Sequence, residues 1–188
     1  MTDSRPAGKR ERLAAAAVEV FHQQGVEKTT LGDIARAAGV PVGNVYYYFK
    51  TKDQLVEAAL GVHGDGLREL LAALDQLPTP QDRLKALISG WVDGRELAAR
   101  YGCPFGTLAS ELDKRDDGLD QIAAAVLLQL IDWAERQFRD MGQDDARGLA
   151  ITLLAAYQGM SLLTNALRDP ELMADQGRRL TEWVDSLA

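Results

Sequence analysis

One cysteine and two histidines are all that this chain of 188 residues offers to the chemistries that depend on them. A lone Cys103 excludes an internal disulfide, and His22 and His63 with that one thiol fall short of the ligand sets that hold zinc, so no metal site is expected. There is no G-x-S-x-G, no P-loop and no dinucleotide fingerprint. Without a paired nucleophile and base, the chain is expected not to be an enzyme and to carry no cofactor. Aromatics make up only 6%. Alternation of apolar and polar residues is scarce, which argues against strands. No unbroken apolar run of about 18 residues and no charged-then-apolar leader stands out, so the expectation is a cytoplasmic protein that makes no membrane contact.

What is present is helical spacing throughout, with 46% hydrophobic residues. That is enough for one small and one medium helical domain. Charge is divided unevenly between them. Residues 1 to 54 carry eight Lys or Arg against six acids, whereas the remainder holds 13 against 22, within a net charge of −7. An acidic whole does not exclude nucleic acid, because the local field is what a polyanion meets.

Residues 31 to 49, LGDIARAAGVPVGNVYYYF, have the spacing of two short helices crossed at a tight turn. Ile34, Ala38, Val40 and Val45 are the positions two such helices bury between them, and Ala35 is small where they approach. Gly39 falls where the chain turns back and a residue without Cβ is least strained. Thr30 with Asp33 makes a shortened capping box, Pro41 suits the first turn of the second helix, and Thr51 with Gln54 opens the next. Upstream, Leu13, Ala14, Ala17, Val18 and Phe21 form a helix ending at Gly25. This is a helix-turn-helix, in which the second helix of the pair enters a major groove. Its first residues, Val42, Gly43 and Asn44, with Tyr46, face the bases. Asn44 is the side chain there able to make a bidentate contact to adenine, and Val42 offers a methyl contact to thymine. Tyr46, Tyr47 and Tyr48 fan over about 200° of the helix and cannot all be core. Arg5, Lys9, Arg10 and Arg12 either reach the DNA backbone or minor groove or form a solubilising arm.

The stretch FHQQGVEKTTLGDIARAAGVPVGNVYYYFKTKDQLVEA resembles the amino-terminal domain of the tetracycline-repressor (TetR) family: a phenylalanine, a glycine, paired threonines, IA..AGV, then G..Y.YF..K. The close resemblance covers about the first 60 residues. It implies an all-α fold of about nine helices, with a three-helix DNA-binding domain over residues 1 to 50 and a helical ligand-binding and dimerisation domain over 51 to 188. It implies a homodimer on a palindromic double-stranded operator, released by a small-molecule inducer. By resemblance, Thr29, Thr30, Tyr47, Tyr48 and Lys52 hold phosphates. Val42 departs from the serine or threonine common in the family, which removes one hydrogen bond usually carried over.

Beyond residue 51 the pattern gives a connector helix to about Asp75, weakened by Gly61, Gly64 and Gly66 and expected to bend. Helices follow over about 81 to 100, from Pro104 to Asp113, from Asp116 or Asp117 to Met141, from Asp144 to Leu167, and after Asp169 and Pro170. The Asp144 helix is apolar on two faces, which with the last helix suits a four-helix seam between two subunits. By resemblance, Trp91, Tyr101, Phe105, Leu127, Ile131, Trp133, Leu154, Tyr157, Gln158 and Ser161 lie on helices around the ligand cavity, a lining that suits a largely apolar molecule. Cys103, before Pro104 at a helix start, is counted with them. It gives an alternative, a redox or electrophile sensor of the same family, set against a buried cysteine that only packs. A helical interaction protein without a regulatory role is the remaining alternative.

Overall fold

Helix starts coincide with the caps the sequence supplies. The computed structural model describes residues 8–115 and 118–187, so Arg5 and the expected helix start at Asp116 or Asp117 lie outside the described residues. Helix α1 (Lys9–Gln24) ends at Gly25, whose φ of 82° is open to glycine. Helix α2 (Leu31–Ala37) opens on a reciprocal cap: Thr30 Oγ1 accepts from the Asp33 N–H at 3.2 Å, and Asp33 Oδ2 accepts from the Thr30 N–H at 3.0 Å. The Thr30 hydroxyl, which donates to Asp33 Oδ2 at 2.6 Å, then the Thr30 N–H and the Arg36 charge, hold the Asp33 carboxyl below its ordinary 3.8. Gly39 (φ 62°) turns the chain into α3 (Val42–Tyr48), and Thr51 caps α4 (Lys52–Leu74).

These four helices close on one core. Leu13, Ile34, Val45, Phe49, Leu55 and Val56 are fully buried in it. Val45 seats α3 in the same core as Ile34 of α2, which leaves the outer face of α3 toward solvent.

Six further helices complete the described residues: α5 (Pro80–Asp93), α6 (Arg95–Tyr101), α7 (Pro104–Leu112), α8 (Leu119–Asp140), α9 (Ala146–Leu167) and α10 (Pro170–Ser186). No strand occurs among the described residues. The count is ten rather than about nine because the helix expected over 81 to 100 divides at Gly94, four residues after Gly90. The expected bend in the connector is also not there as a break. Helix α4 runs continuously through its three glycines, and Gly64 lies against α8, where a Cβ would sit 3.7 Å from Val126 Cγ2. Tertiary packing on α8 compensates for the weak intrinsic propensity.

A second core lies among α4, α5, α8, α9 and α10, around Leu84, Ile88, Trp133, Phe138, Leu153 and Val184. Trp133, named from the sequence among the cavity helices, belongs to this core, and its Nε1 donates to Asp75 Oδ1 at 2.8 Å. The first core extends beyond the reader: Leu108 and Leu112 of α7 and Leu119 and Ala123 of α8 are buried with it. Packing therefore does not stop at residue 50.

Helix α9 is apolar on average without an unbroken apolar run. At 22 residues, with a mean hydropathy of 1.2 over its most apolar stretch, it is long and apolar enough to cross a bilayer by length and composition. Here it packs on α6, α8 and α10. Its serines, threonines and glycines interrupt any unbroken apolar run while leaving the average high.

Candidate nucleic-acid interface and effector cavity

The outer face of α3 is apolar and aromatic yet exposed: Val42 is 48% accessible, Tyr46 53% and Tyr47 75%. Gly43 between them is also exposed, and Asn44 is half-buried. Exposure of that kind on a helix seated by Val45 describes a surface built for contact. Tyr47 and Tyr48 meet edge to face with ring centres 4.9 Å apart, and Tyr48 packs against the core. Lys50 closes the helix by donating from Nζ to the Tyr46 carbonyl at 2.7 Å. Arg10 lies over the Phe49 ring, 5.3 Å from its centre.

A cavity of about 310 Å³ opens between α4, α7, α8 and α9. Val62, Leu67, Leu70, Phe105, Val126, Leu127, Leu130 and Leu154 make apolar walls, and His63, Cys103, Tyr157 and Gln158 bring the polar atoms. Cys103 caps α7, its Sγ accepting from the Gly106 N–H at 3.2 Å and lying 3.8 Å from Gln158 Nε2. Gly106 lies close under Gln158, whose Oε1 would have to move to admit a Cβ there. His63 meets Phe105 edge-on at 5.5 Å, and its Nε2 is buried without a partner. Burial first, then the His22 charge, lowers its pKa and favours the neutral ring. Tyr157 stacks on Trp91 at 4.2 Å, and burial first, then the Cys103 sulfur, hold its phenol well above the ordinary range.

Cys103 also borders a second hollow, of about 450 Å³, between α7 and α9, lined by Thr107, Ser110, Glu111, Gln158, Ser161 and Asn165 among others. Two contacts join α7 and the residue before its cap to the reader. His22 Nε2 lies 2.9 Å from the Gly102 carbonyl, and Glu111 Oε2 accepts from the Val26 N–H at 2.7 Å.

Comparison with known proteins decides what this architecture is. Residues 13–59 match the profile of bacterial regulatory proteins of the tetR family, and residues 80–179 match the C-terminal domain of LmrA/YxaF-like transcriptional regulators. The chain belongs to the TetR family. It is similar to the HTH-type transcriptional regulator TtgR of Pseudomonas putida, 37% identical over 94% of this chain and 88% of that protein. It is also similar to the HTH-type transcriptional regulator LmrA of Bacillus subtilis, 25% identical over 73% of this chain and 75% of the relative. The match to the HTH-type transcriptional repressor KstR2 of Mycolicibacterium smegmatis is 37% identical but spans only 42% of that protein's length. A TetR-family regulator from Streptomyces coelicolor shares the fold, with a TM-score of 0.82 at 23% identity over 94% of this chain and 93% of that one. So does one from Legionella pneumophila, with a TM-score of 0.85 at 18% identity over 97% and 98%. The protein is a DNA-binding transcriptional regulator with an amino-terminal helix-turn-helix.

Within this TetR-family chain, the residues expected at the operator fall into two sets. Val42, Gly43, Tyr46 and Tyr47 are on the open face of α3, with Asn44 half-buried and Thr30 at the start of α2. Thr29 and Lys52, expected at phosphates, have hydrogen bonds that brace the loop before α2. Thr29 is 2% exposed and donates to the Gly25 carbonyl at 2.6 Å, while Lys52 Nζ donates to the carbonyls of Val26, Glu27 and Thr29.

Of the expected ligand residues, Cys103, Phe105, Leu127, Leu154, Tyr157 and Gln158 line the cavity. Besides Trp133 of the second core, four stand outside that lining. Trp91 stacks on Tyr157, Tyr101 meets His22 edge-on at 5.5 Å, Ile131 packs on the second core, and Ser161 lies in the neighbouring hollow. Sequence reasoning missed the α4 wall, Val62, His63, Gly66, Leu67 and Leu70. Its signal was the helical spacing from His63 to Leu67 and Leu70, read only as connector.

Proposed function

We propose that this regulator represses transcription as a homodimer on a palindromic operator, with α3 of each subunit in successive major grooves, and that a small, largely apolar molecule in the cavity releases it. Residues 1 to 50 serve as reader and 51 to 188 as sensor and dimerisation unit. The observation that carries the reading is the exposed apolar and aromatic face of α3, held outward by buried Val45. Two grooves on one side of a duplex lie about 34 to 36 Å apart, so a dimer of fixed spacing selects a palindrome. Phosphate contacts from the tyrosines and Thr30 set the register, and Val42 and Asn44 read bases. An apolar occupant displaces the dimer only by binding one reader spacing better than the other. Support for a second subunit comes from α9, whose Ile151, Leu162, Leu163 and Leu167 are 49 to 68% exposed.

The test is a gel shift with the full chain on DNA lying upstream of its own gene, followed by selection of bound genomic fragments. A retarded band that weakens as salt rises, and enriched fragments sharing one inverted repeat, are the expected results. Fragments with no common sequence would return the chain to the class of helical interaction proteins.

A further inference from the structure

The hollow between α7 and α9 differs in chemistry from the apolar cavity, with which it shares only Cys103 and Gln158. At about 450 Å³ it lies within the range of ligand pockets, about 300–1,000 Å³. Three of its side chains already use their donors within the protein. Thr107 Oγ1 donates to the Cys103 carbonyl at 2.8 Å, Asn165 Nδ2 donates to the Ala99 carbonyl at 3.2 Å, and Gln158 Nε2 turns toward Cys103 Sγ at 3.8 Å. Their oxygens are left to accept. Glu111 is the one charged side chain among the described residues of this lining, and neither Lys nor Arg stands there to hold an anion. Ser161 Oγ, on a residue 1% exposed, has no partner. Buried hydroxyls are almost always satisfied, by protein, water or a ligand.

We propose that this hollow is a binding site for small primary alkylammonium ions, the ammonium head donating to Ser161 Oγ with Glu111 as its counter-charge and the short tail lying along Leu162, the exposed apolar residue of the lining. An ammonium leaves water only where its charge and its N–H groups are both answered. A quaternary ammonium has no N–H for Ser161, an alcohol leaves the charge of Glu111 unused, and an anion is repelled by it. The Glu111 carboxylate also accepts from the Val26 N–H at 2.7 Å, so an occupant here bears on the bond that joins α7 to the end of α1.

The full chain, isotope-labelled, is titrated at neutral pH with n-butylammonium chloride and followed by its amide NMR shifts. Tetramethylammonium, which has the charge without an N–H, and n-butanol, which has the tail without the charge, are the controls. Saturable shifts at Gly106, Ser161 and Leu162, and none at Leu67 or Leu130 of the apolar cavity, are expected with butylammonium alone. Glu111→Gln and Ser161→Ala each weaken binding at least about five-fold. Ser161→Ala does so without lowering the urea midpoint of the free protein, because the hydroxyl removed has no partner to lose, and that separates a ligand anchor from a structural bond. Equal shifts with either control, unchanged affinity in either variant, a Ser161→Ala protein that is less stable without amine, or a hollow whose amides stay still because a second subunit fills it would each overturn the proposal. No DNA takes part, so failure here leaves operator binding and the apolar cavity as they stand, and failure of those leaves this site.

Discussion

Asn44 occupies the third position of a seven-residue helix whose inner side is closed by Val45 and whose outer side carries Val42 and Tyr46. Among the described residues its side chain makes no hydrogen bond, whereas its backbone N–H is taken by the Pro41 carbonyl at 2.8 Å. An amide so placed matches the N6 and N7 edge of adenine, a contact worth about 1–3 kcal/mol of discrimination. Asn44→Ala is therefore expected to relax the preference at one base of each half-site while leaving folding intact. Binding-site selection with both proteins checks it; an unchanged preference would place Asn44 at the backbone instead. The exposed face of α3 was legible in the sequence because exposure on a short helix follows from its period. The loop bonds of Thr29 and Lys52 were not, since a hydroxyl or ammonium that braces a loop and one that holds a phosphate have the same spacing.

Helix α7 belongs to two structures at once. Its first turn, with Cys103 and Phe105, borders the cavity, and its last, with Leu108, Glu111 and Leu112, enters the reader. A displacement at the cavity end must therefore be felt at the end of α1. Glu111 supplies the clearest joint, because the Val26 N–H it accepts follows the C-terminus of α1. Glu111→Ala is expected to lower stability by about 1–2 kcal/mol, and Glu111→Gln, which keeps an acceptor oxygen, to lose less. Urea midpoints at constant m-value would measure it, and equal losses in both variants would show that the bond contributes nothing specific. Caps and glycines made the boundaries of α1 to α4 readable, and Pro104 marked the start of α7, which buries a face carrying Leu108 and Leu112. Which partner that face meets was not, because Leu108 and Leu112 show only that a side is buried.

Across the described residues, α9 carries more exposed large apolar side chains than any other helix, although Leu97 of α6 and Leu128 of α8 are exposed as well. Ile151, Leu162, Leu163 and Leu167 are joined on that side by Ala155, Gly159 and Ala166, small residues that let a second helix approach. The outward positions of α10, including Asp175, Arg178, Arg179 and Glu182, are charged instead, so the centre of a seam falls on α9 and α10 forms its rim. Two faces of the Asp144 helix were visible in the sequence, but its period could not say which faced inward. Leu162 is 68% exposed, so its replacement disturbs little within one subunit. Leu162→Glu would place two carboxylates against each other across a twofold seam, where neither is solvated or paired. Light scattering of the variant is expected to give a particle near 20.5 kDa, with the parent at twice that mass and the helical circular dichroism of both alike. Operator affinity should fall more than about ten-fold with it, because one reader loses the second groove that fixed its spacing. A parent that already runs as a single chain, or a variant that still pairs, would move the proposed seam off α9 and with it the reason for expecting a palindromic operator.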